Sequence, residues 1–251
     1  LKSDSFGSYS EYISAINHDI TFHNSTLNLA DLNKFSANSR FSDLEVKIDG
    51  KLRGRIDKLK GKNITLQLAN NTNFMGDVSL NGLPEISHTF IDLNVEKLNS
   101  SRSDIQTQIL PALGMQNINL PLNLNKLGNF SFSGDFTGFM NDFVAYGELS
   151  TPIGKLITDL KFKEVQGNER YSYSGELTTI DFDLASLYSN KNLGLISSSI
   201  TVKGKGITRD LAALDIEGQV SSIYLGENSF SDISASGSLK NNFFSGTLIS
   251  K

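Results

Sequence analysis

The stretch Asp43 to Ile56, DLEVKIDGKLRGRI, alternates apolar and polar residues for fourteen positions without a break. Its even positions are Leu44, Val46, Ile48, Gly50, Leu52, Gly54 and Ile56, and its odd ones are Asp43, Glu45, Lys47, Asp49, Lys51, Arg53 and Arg55. Successive side chains of a strand point to opposite faces, so a period of two predicts a half-buried β-strand. One face is greasy, the other is charged, and glycine stands on the greasy one.

The same period recurs along the chain, in NITLQLA (63–69), NFMGDVSLNG (73–82), NFSFSGDFTG (129–138), GKLITDLKF (154–162) and RYSYSGEL (170–177). It continues in SSITVKGKG (198–206), ALDIEGQVSSI (213–223), SDISASGSL (231–239) and NFFSGTLIS (242–250). Turn signals separate the runs, among them Asn70-Asn71, Asn141-Asp142 and Gly167-Asn168. Helix-like segments are short. In 101–114, Ser103 is the expected cap, Ile105, Ile109 and Leu113 form a stripe, and Pro111 is expected to kink or end the helix. LADLNKF (29–35) and DFDLASLYS (181–189) predict a turn or two each, and all three segments are expected to plug an edge or end of the sheet.

Glycine keeps to the apolar register in a recurring pattern, apolar-x-apolar-x-Gly-x-apolar. It centres on Gly50, Gly134, Gly175, Gly218 and Gly237, with shorter versions at Gly76, Gly147 and Gly246. Gly54, Gly138 and Gly204 share the register. The spacing is irregular, which excludes a fixed-period solenoid. Glycine inside a strand costs stability, so its repetition on one face points to bending or room there. Two readings stand at this point: bulges and corners in a closed protein core, or a sheet curled around something that is not protein.

Composition narrows the function classes. The chain has 251 residues, a net charge of −4, no cysteine and no tryptophan. Disulfides and thiolate zinc sites are excluded, and there is no general attraction to nucleic acid. No window approaches the apolar length of a spanning helix. His18, His23 and His88 have no ligand spacing and read as surface residues, with His18 and His23 on opposite faces of a strand. Asp181 and Asp183 read as helix-capping carboxylates. Gly204-Lys205-Gly206 is not followed by a third glycine, and no nucleophile elbow occurs. The sequons at Asn24, Asn63 and Asn129 are expected by chance in an asparagine-rich chain. Lys47, Lys51, Arg53, Arg55, Lys58, Lys60 and Lys62 form a charge cluster, read either as a solvated sheet face or as a dock for acidic head groups or an acidic partner. No catalytic, cofactor or metal site is expected.

Several stretches resemble one family. DITFHNSTLNLADLNKF (19–35), LNGLPEISHTFIDLNVEKLNSSRSDI (80–105), LPLNLNKLGNFSFSGDFTGFMNDFVAYGELSTPIGKL (120–156) and SGELTTIDFDLASLYSNKNLGLISSSITVKGKG (174–206) are similar to the AsmA-like translocation and assembly module (TamB) proteins, in a long, divergent Gram-negative form. The resemblance implies a periplasmic protein anchored in the inner membrane and reaching the outer one. It also implies an Omp85-type barrel as partner, met through other parts of the protein, and a role in carrying phospholipid. The chain starts at Leu1, and residues 1–251 are expected to be a single section of a longer trough.

The expected fold is therefore all-β: a long, curled antiparallel or mixed sheet forming an elongated trough with an apolar interior and a few short helices. Its expected lining begins with Leu44, Val46, Ile48, Leu52, Ile56, Ile64, Leu66, Leu68, Phe74, Val78, Leu80, Phe130, Phe132 and Phe136. It continues with Leu156, Leu160, Phe162, Tyr171, Tyr173, Leu177, Ile200, Val202, Leu214, Ile216, Val220, Ile233, Leu239, Phe244 and Leu248. Gly50, Gly54, Gly76, Gly134, Gly138, Gly175, Gly204, Gly218, Gly237 and Gly246 are expected to bend that face. Phospholipid acyl chains would be the cargo, with no enzyme chemistry. The alternatives are an assembly factor for outer-membrane proteins, a membrane β-barrel, or a structural β-sandwich.

Overall fold

Thirteen strands follow one another in a computed structural model, which describes residues 13–35, 41–113, 115, 120, 122–165, 171–206, 213–240 and 243–250. They are β1 (His18–Asn28), β2 (Glu45–Arg55), β3 (Lys58–Leu68), β4 (Thr72–Asn81), β5 (Phe90–Ser101), β6 (Asn129–Phe139) and β7 (Asp142–Thr151). The rest are β8 (Gly154–Glu164), β9 (Tyr171–Asp183), β10 (Leu193–Lys205), β11 (Ala213–Leu225), β12 (Asn228–Lys240) and β13 (Phe243–Ser250). Each hydrogen-bonds its neighbour in sequence, giving one open thirteen-stranded sheet with β1 and β13 as its edges. The all-β expectation holds.

Two compact units are distinguished within the chain. Unit 1 is Leu1–Asn119 with Asp135–Met140, and unit 2 is Leu120–Gly134 with Asn141–Lys251. The change comes after a helical segment at 102–112, where the strand pattern is interrupted between β5 and β6.

In unit 1 the antiparallel registers align apolar residues into rows across β1 to β5. One row runs Ser25, Ile48, Leu66, Phe74, Leu98, and the next runs Ile20, Leu52, Gly61, Val78, Leu93. Between them Gly50 and Gly76 take places in a row occupied by Phe22 and Val95, with Ile64 facing Gly76. The bulges explain how the rows stay straight while the sequence changes parity. In β1 the apolar residues are even through Phe22 and odd from Ser25, because His23 and Asn24 form a bulge. In β3 the switch comes at Lys62 and Asn63, and in β5 at Glu96. Asn24 and Asn63 hold φ of 45° and 51°. Each donates its backbone N–H to a carboxylate of the next strand, Asp49 at 2.9 Å and Asp77 at 3.0 Å. Asparagine tolerates this left-handed backbone better than most residues, which accounts for its use here.

One end of unit 1 is plugged. Ser101, the last residue of β5, is the helix cap rather than Ser103: its backbone is extended and its Oγ accepts the Asp104 N–H at 3.1 Å. Ser103 already lies inside the helix, so it cannot serve. The helix runs Arg102–Asp104, widens to a π turn over Ile105–Ile109 and finishes at Leu110–Ala112 with Pro111 in its first turn. The Asp104 carboxylate, only 2% exposed, accepts from the Asn71 N–H at 2.7 Å and the Thr72 hydroxyl at 3.2 Å. The segment is thereby tied to the β3–β4 turn, with Leu110 and Ala112 buried.

Unit 2 repeats the design over β7 to β13. Its rows run Phe143, Phe162, Tyr173, Gly204, Leu214, Leu239 and Ala145, Leu160, Gly175, Val202, Ile216, Gly237. The next are Gly147, Thr158, Leu177, Ile200, Gly218, Ala235, Leu248 and Leu149, Leu156, Thr179, Ser198, Val220, Ile233. A short helix, Leu184–Tyr188, packs with the 3-10 turn Leu122–Leu127 at the end where β9 finishes and β10 begins. Asp183 caps that helix through the Ser186 N–H at 3.0 Å. Asp181 does something else: it is the bulge residue, with φ 46°, and its N–H donates to Ser197 Oγ at 2.9 Å. A pair of capping aspartates is therefore corrected to one cap and one bulge. A cap accepts helix amides from a position flanking the helix, and Asp181 lies two residues further back.

Candidate functional site

The apolar rows are the feature that needs a purpose. Within each unit the strands pack chiefly on their sheet neighbours, and no second sheet of that unit lies over the rows among the described residues. Val46, Ile48, Ile64, Phe74, Val202 and Ile233 are buried, sheltered by row neighbours and bends. Leu52, Leu66, Leu68, Val78, Leu80, Phe130, Phe132, Phe136, Leu156, Leu160, Phe162, Tyr171, Tyr173, Leu177, Ile200, Leu214, Ile216, Val220 and Leu239 are half-buried. Leu248, on the edge strand β13, is 61% exposed. The side chain of Phe244 lies outside the described residues. Two expected lining residues fall outside the ladders: Leu44 precedes β2, and Ile56 sits in the β2–β3 turn. The alternation runs on past the hydrogen-bonded part of the strand, so periodicity alone does not reveal where the ladder ends.

Other residues join the rows beyond the expected lining: Ile20 and Leu27 of β1, Ile91, Leu93 and Val95 of β5, and Phe143 and Leu149 of β7, the last in the register already read around Gly147. In β1 and β5 the parity switch at a bulge broke the pattern.

The glycines let neighbouring strands approach. A Cβ on Gly76 would lie 2.1 Å from the Asn94 carbonyl oxygen, and one on Gly134 would lie 2.1 Å from that of Tyr146. At Gly204 a side chain uses the space, the Tyr173 ring lying 2.7 Å from where a Cβ would be; at Gly147 the Phe132 ring, at 2.8 Å, adds to a close approach by the Ser133 carbonyl oxygen at 2.2 Å. An aromatic laid across a cross-strand glycine keeps the apolar surface continuous where a side chain is missing. Burial raises the Tyr173 hydroxyl above its ordinary pKa. Phe162 stacks on Phe143 at 5.1 Å and meets Tyr171 at 5.2 Å between ring centres.

Two hydroxyl pairs interrupt the apolar rows without leaving a polar atom bare. Thr72 and Ser100 bond at 2.7 Å, and Thr179 and Ser198 at 2.9 Å. Buried polar groups satisfied in this way cost little.

The opposite face is charged. The lysine-rich cluster of unit 1 is a solvated face with acid partners: Lys51 and Arg53 reach Asp19 at 3.1 and 3.2 Å, Arg55 reaches Asp57 at 2.9 Å, and Lys62 bonds Asp77. Lys51 and Lys62 hold the carboxyls of Asp19 and Asp77 below the ordinary 3.8, and Lys163 does the same for Asp142. A carboxylate with a lowered folded-state pKa adds stability above its unfolded value and loses it as pH falls through the folded one. The urea midpoint is therefore expected to hold from neutral pH down to about 4 and to drop below that. Asp77→Asn should flatten part of the drop, read by circular dichroism at each pH. A midpoint insensitive to acid would remove these pairs from the account.

His23 and His88 are exposed, but His18 is half-buried opposite Gly54. The surface reading of His18 is corrected: the register of β1 places it in an apolar row. The bulge, not simple alternation, sets the relation of His18 to His23. Among the described residues no group of histidine and carboxylate side chains is placed to hold a metal, and no helix is long and apolar enough to cross a membrane. Comparison with protein-family models, curated proteins and solved structures finds no match to this chain.

Proposed function

We propose that the apolar rows bind the acyl chains of phospholipid, and that the chain is a non-enzymatic section of a lipid-transfer protein. The single observation that carries this is the uncovered apolar face within each unit, built in register from one strand to the next. Acyl chains need no directed contacts, because each buried CH₂ contributes about 0.8 kcal/mol against any apolar surface. The Thr72–Ser100 and Thr179–Ser198 hydroxyls within the rows are paired with each other, so they make poor anchors for a tail. Head groups would stay in water beyond the strip. In the setting the TamB resemblance implies, this section would work in the periplasm between inner and outer membrane, with an Omp85-type barrel engaged by other parts of the protein. A closed membrane barrel is at odds with the open strand order.

The test is native mass spectrometry with lipid extraction on the purified chain. Phospholipid is expected to co-purify, and Leu160→Glu with Leu177→Glu should reduce occupancy at least several-fold. Both residues are half-buried, so the charges fall on the strip without being forced into the sheltered part of the face. Val202 and Ile48, 6% and 7% exposed, are poorer choices because a buried charge would unfold the chain first. A chain that purifies free of lipid and fails to take up a fluorescent phospholipid overturns the proposal.

A further inference from the structure

The polar face of unit 2 carries a second feature. Two adjacent rows on this face alternate lysine and serine: Lys161, Ser174, Lys203, and Lys163, Ser172, Lys205. In each, a serine of β9 stands between a lysine of β8 and one of β10. Both rows line a groove of about 620 Å³ that continues past Asp215 to Lys240. Tyr173, Gly204, Leu214 and Leu239, from the apolar row between them, also border the groove, whereas Phe162 does not. It lies where β8 ends and β9 begins, at the opposite end of the strands from the helix Leu184–Tyr188.

From these rows we infer a phosphate-binding cradle, with Lys161, Lys163, Lys203 and Lys205 closing on the phosphate ester of a ligand and Ser172 and Ser174 donating hydroxyls to it. The spacing suits this. Lysines two strands apart are about 10 Å apart at the backbone, a gap their long side chains can close onto one tetrahedral anion between them. Ammonium groups act on phosphate as mobile point charges and need no fixed fork. The charge balance points the same way. Among the described residues Lys163 is the one of the four with an ion pair, to Asp142 at 2.7 Å, and Lys161 acts on the same carboxyl without pairing to it, whereas Lys51, Arg53 and Lys62 in unit 1 sit on carboxylates. Among the described residues Asp215 is the one carboxylate in the lining. The next row inward, Asp159, Glu176, Thr201 and Glu217, is acidic and confines the positive field to the end of the strands. The phosphate ester could belong to a lipid headgroup or to a soluble metabolite.

The experiment uses the full chain with two probes: glycerol 3-phosphate followed by phosphorus NMR, and flotation with vesicles of phosphatidylcholine alone or with about one-fifth phosphatidylglycerol. K161Q/K203Q/K205Q is compared with K58Q/K60Q/K62Q, which removes the same charge from unit 1. The first set is expected to weaken binding roughly tenfold and the second less than about twofold. All three unit 2 side chains are exposed, so folding should survive, and K203Q/K205Q serves if the triple variant does not fold. Flotation only with the anionic vesicles, lost in the unit 2 variant, assigns the site to a lipid headgroup. Binding of glycerol 3-phosphate without flotation assigns it to a soluble ester. Failure to bind either probe, or equal losses from both variants, overturns the cradle. Lipid co-purification in the unit 2 variant reports on the acyl strip separately, so the two proposals fail apart.

Discussion

Gly175→Val is expected to unfold unit 2 or bring it close to unfolding. Gly175 holds φ +143°, and a Cβ there would lie 1.9 Å from the Asp159 carbonyl oxygen of the neighbouring strand. That contact is with backbone, so no rotamer change relieves it. The backbone conformation costs a non-glycine residue roughly 1–3 kcal/mol, and overpacking about as much again. Against a typical stability of about 5–15 kcal/mol, the sum is a large share. Urea unfolding followed by circular dichroism should show a midpoint lowered far beyond that of Thr201→Val, an exposed β10 residue on the polar face. A Gly175→Val midpoint equal to that of Thr201→Val would mean that close strand approach at this glycine does not shape the sheet.

The same glycine explains what could be read in advance. Its place in the apolar register was visible because β9 keeps strict alternation from Tyr171 to Leu177, and the rows of unit 2 were legible for the same reason. What alternation cannot carry is a change of phase. At Asn24, Asn63 and Asp181 a left-handed residue adds one position to a strand, and every later side chain changes parity to remain on its face. The lysine–serine rows were hidden by a different cause. Lys161 and Lys203 are 42 positions apart, and only the register of β9 between β8 and β10 brings them into one row. The charge cluster that did stand out, from Lys47 to Lys62, is local in sequence, and much of its charge is met by acids. Local density of charge drew attention to the less available set.

Ile64 separates two reasons for placing glycine on the apolar face. It is 1% exposed, and Ile64→Ala is expected to cost about 2–5 kcal/mol as a large-to-small change in a buried site. A Cβ on Gly61 would lie 2.6 Å from Ile64 Cγ1, and one on Gly50 would lie 2.9 Å from Ile64 Cδ1. The Gly50 position also carries φ +120° and a backbone oxygen, that of Asn63, at 2.6 Å. Gly61→Ala alone should therefore destabilise, yet in combination with Ile64→Ala its methyl occupies the vacated space. The double variant is expected to be less destabilised than the sum of the singles by about 1–3 kcal/mol. Gly50→Ala should gain much less from Ile64→Ala, because backbone strain and the Asn63 carbonyl remain. Equal rescue at both positions would reduce Gly50 to room for a side chain; rescue at Gly61 alone makes it a site where the strands themselves must meet. In that case the bend at Gly50 belongs to the backbone, and apolar surface can be exchanged along the rows without straightening the sheet beneath it.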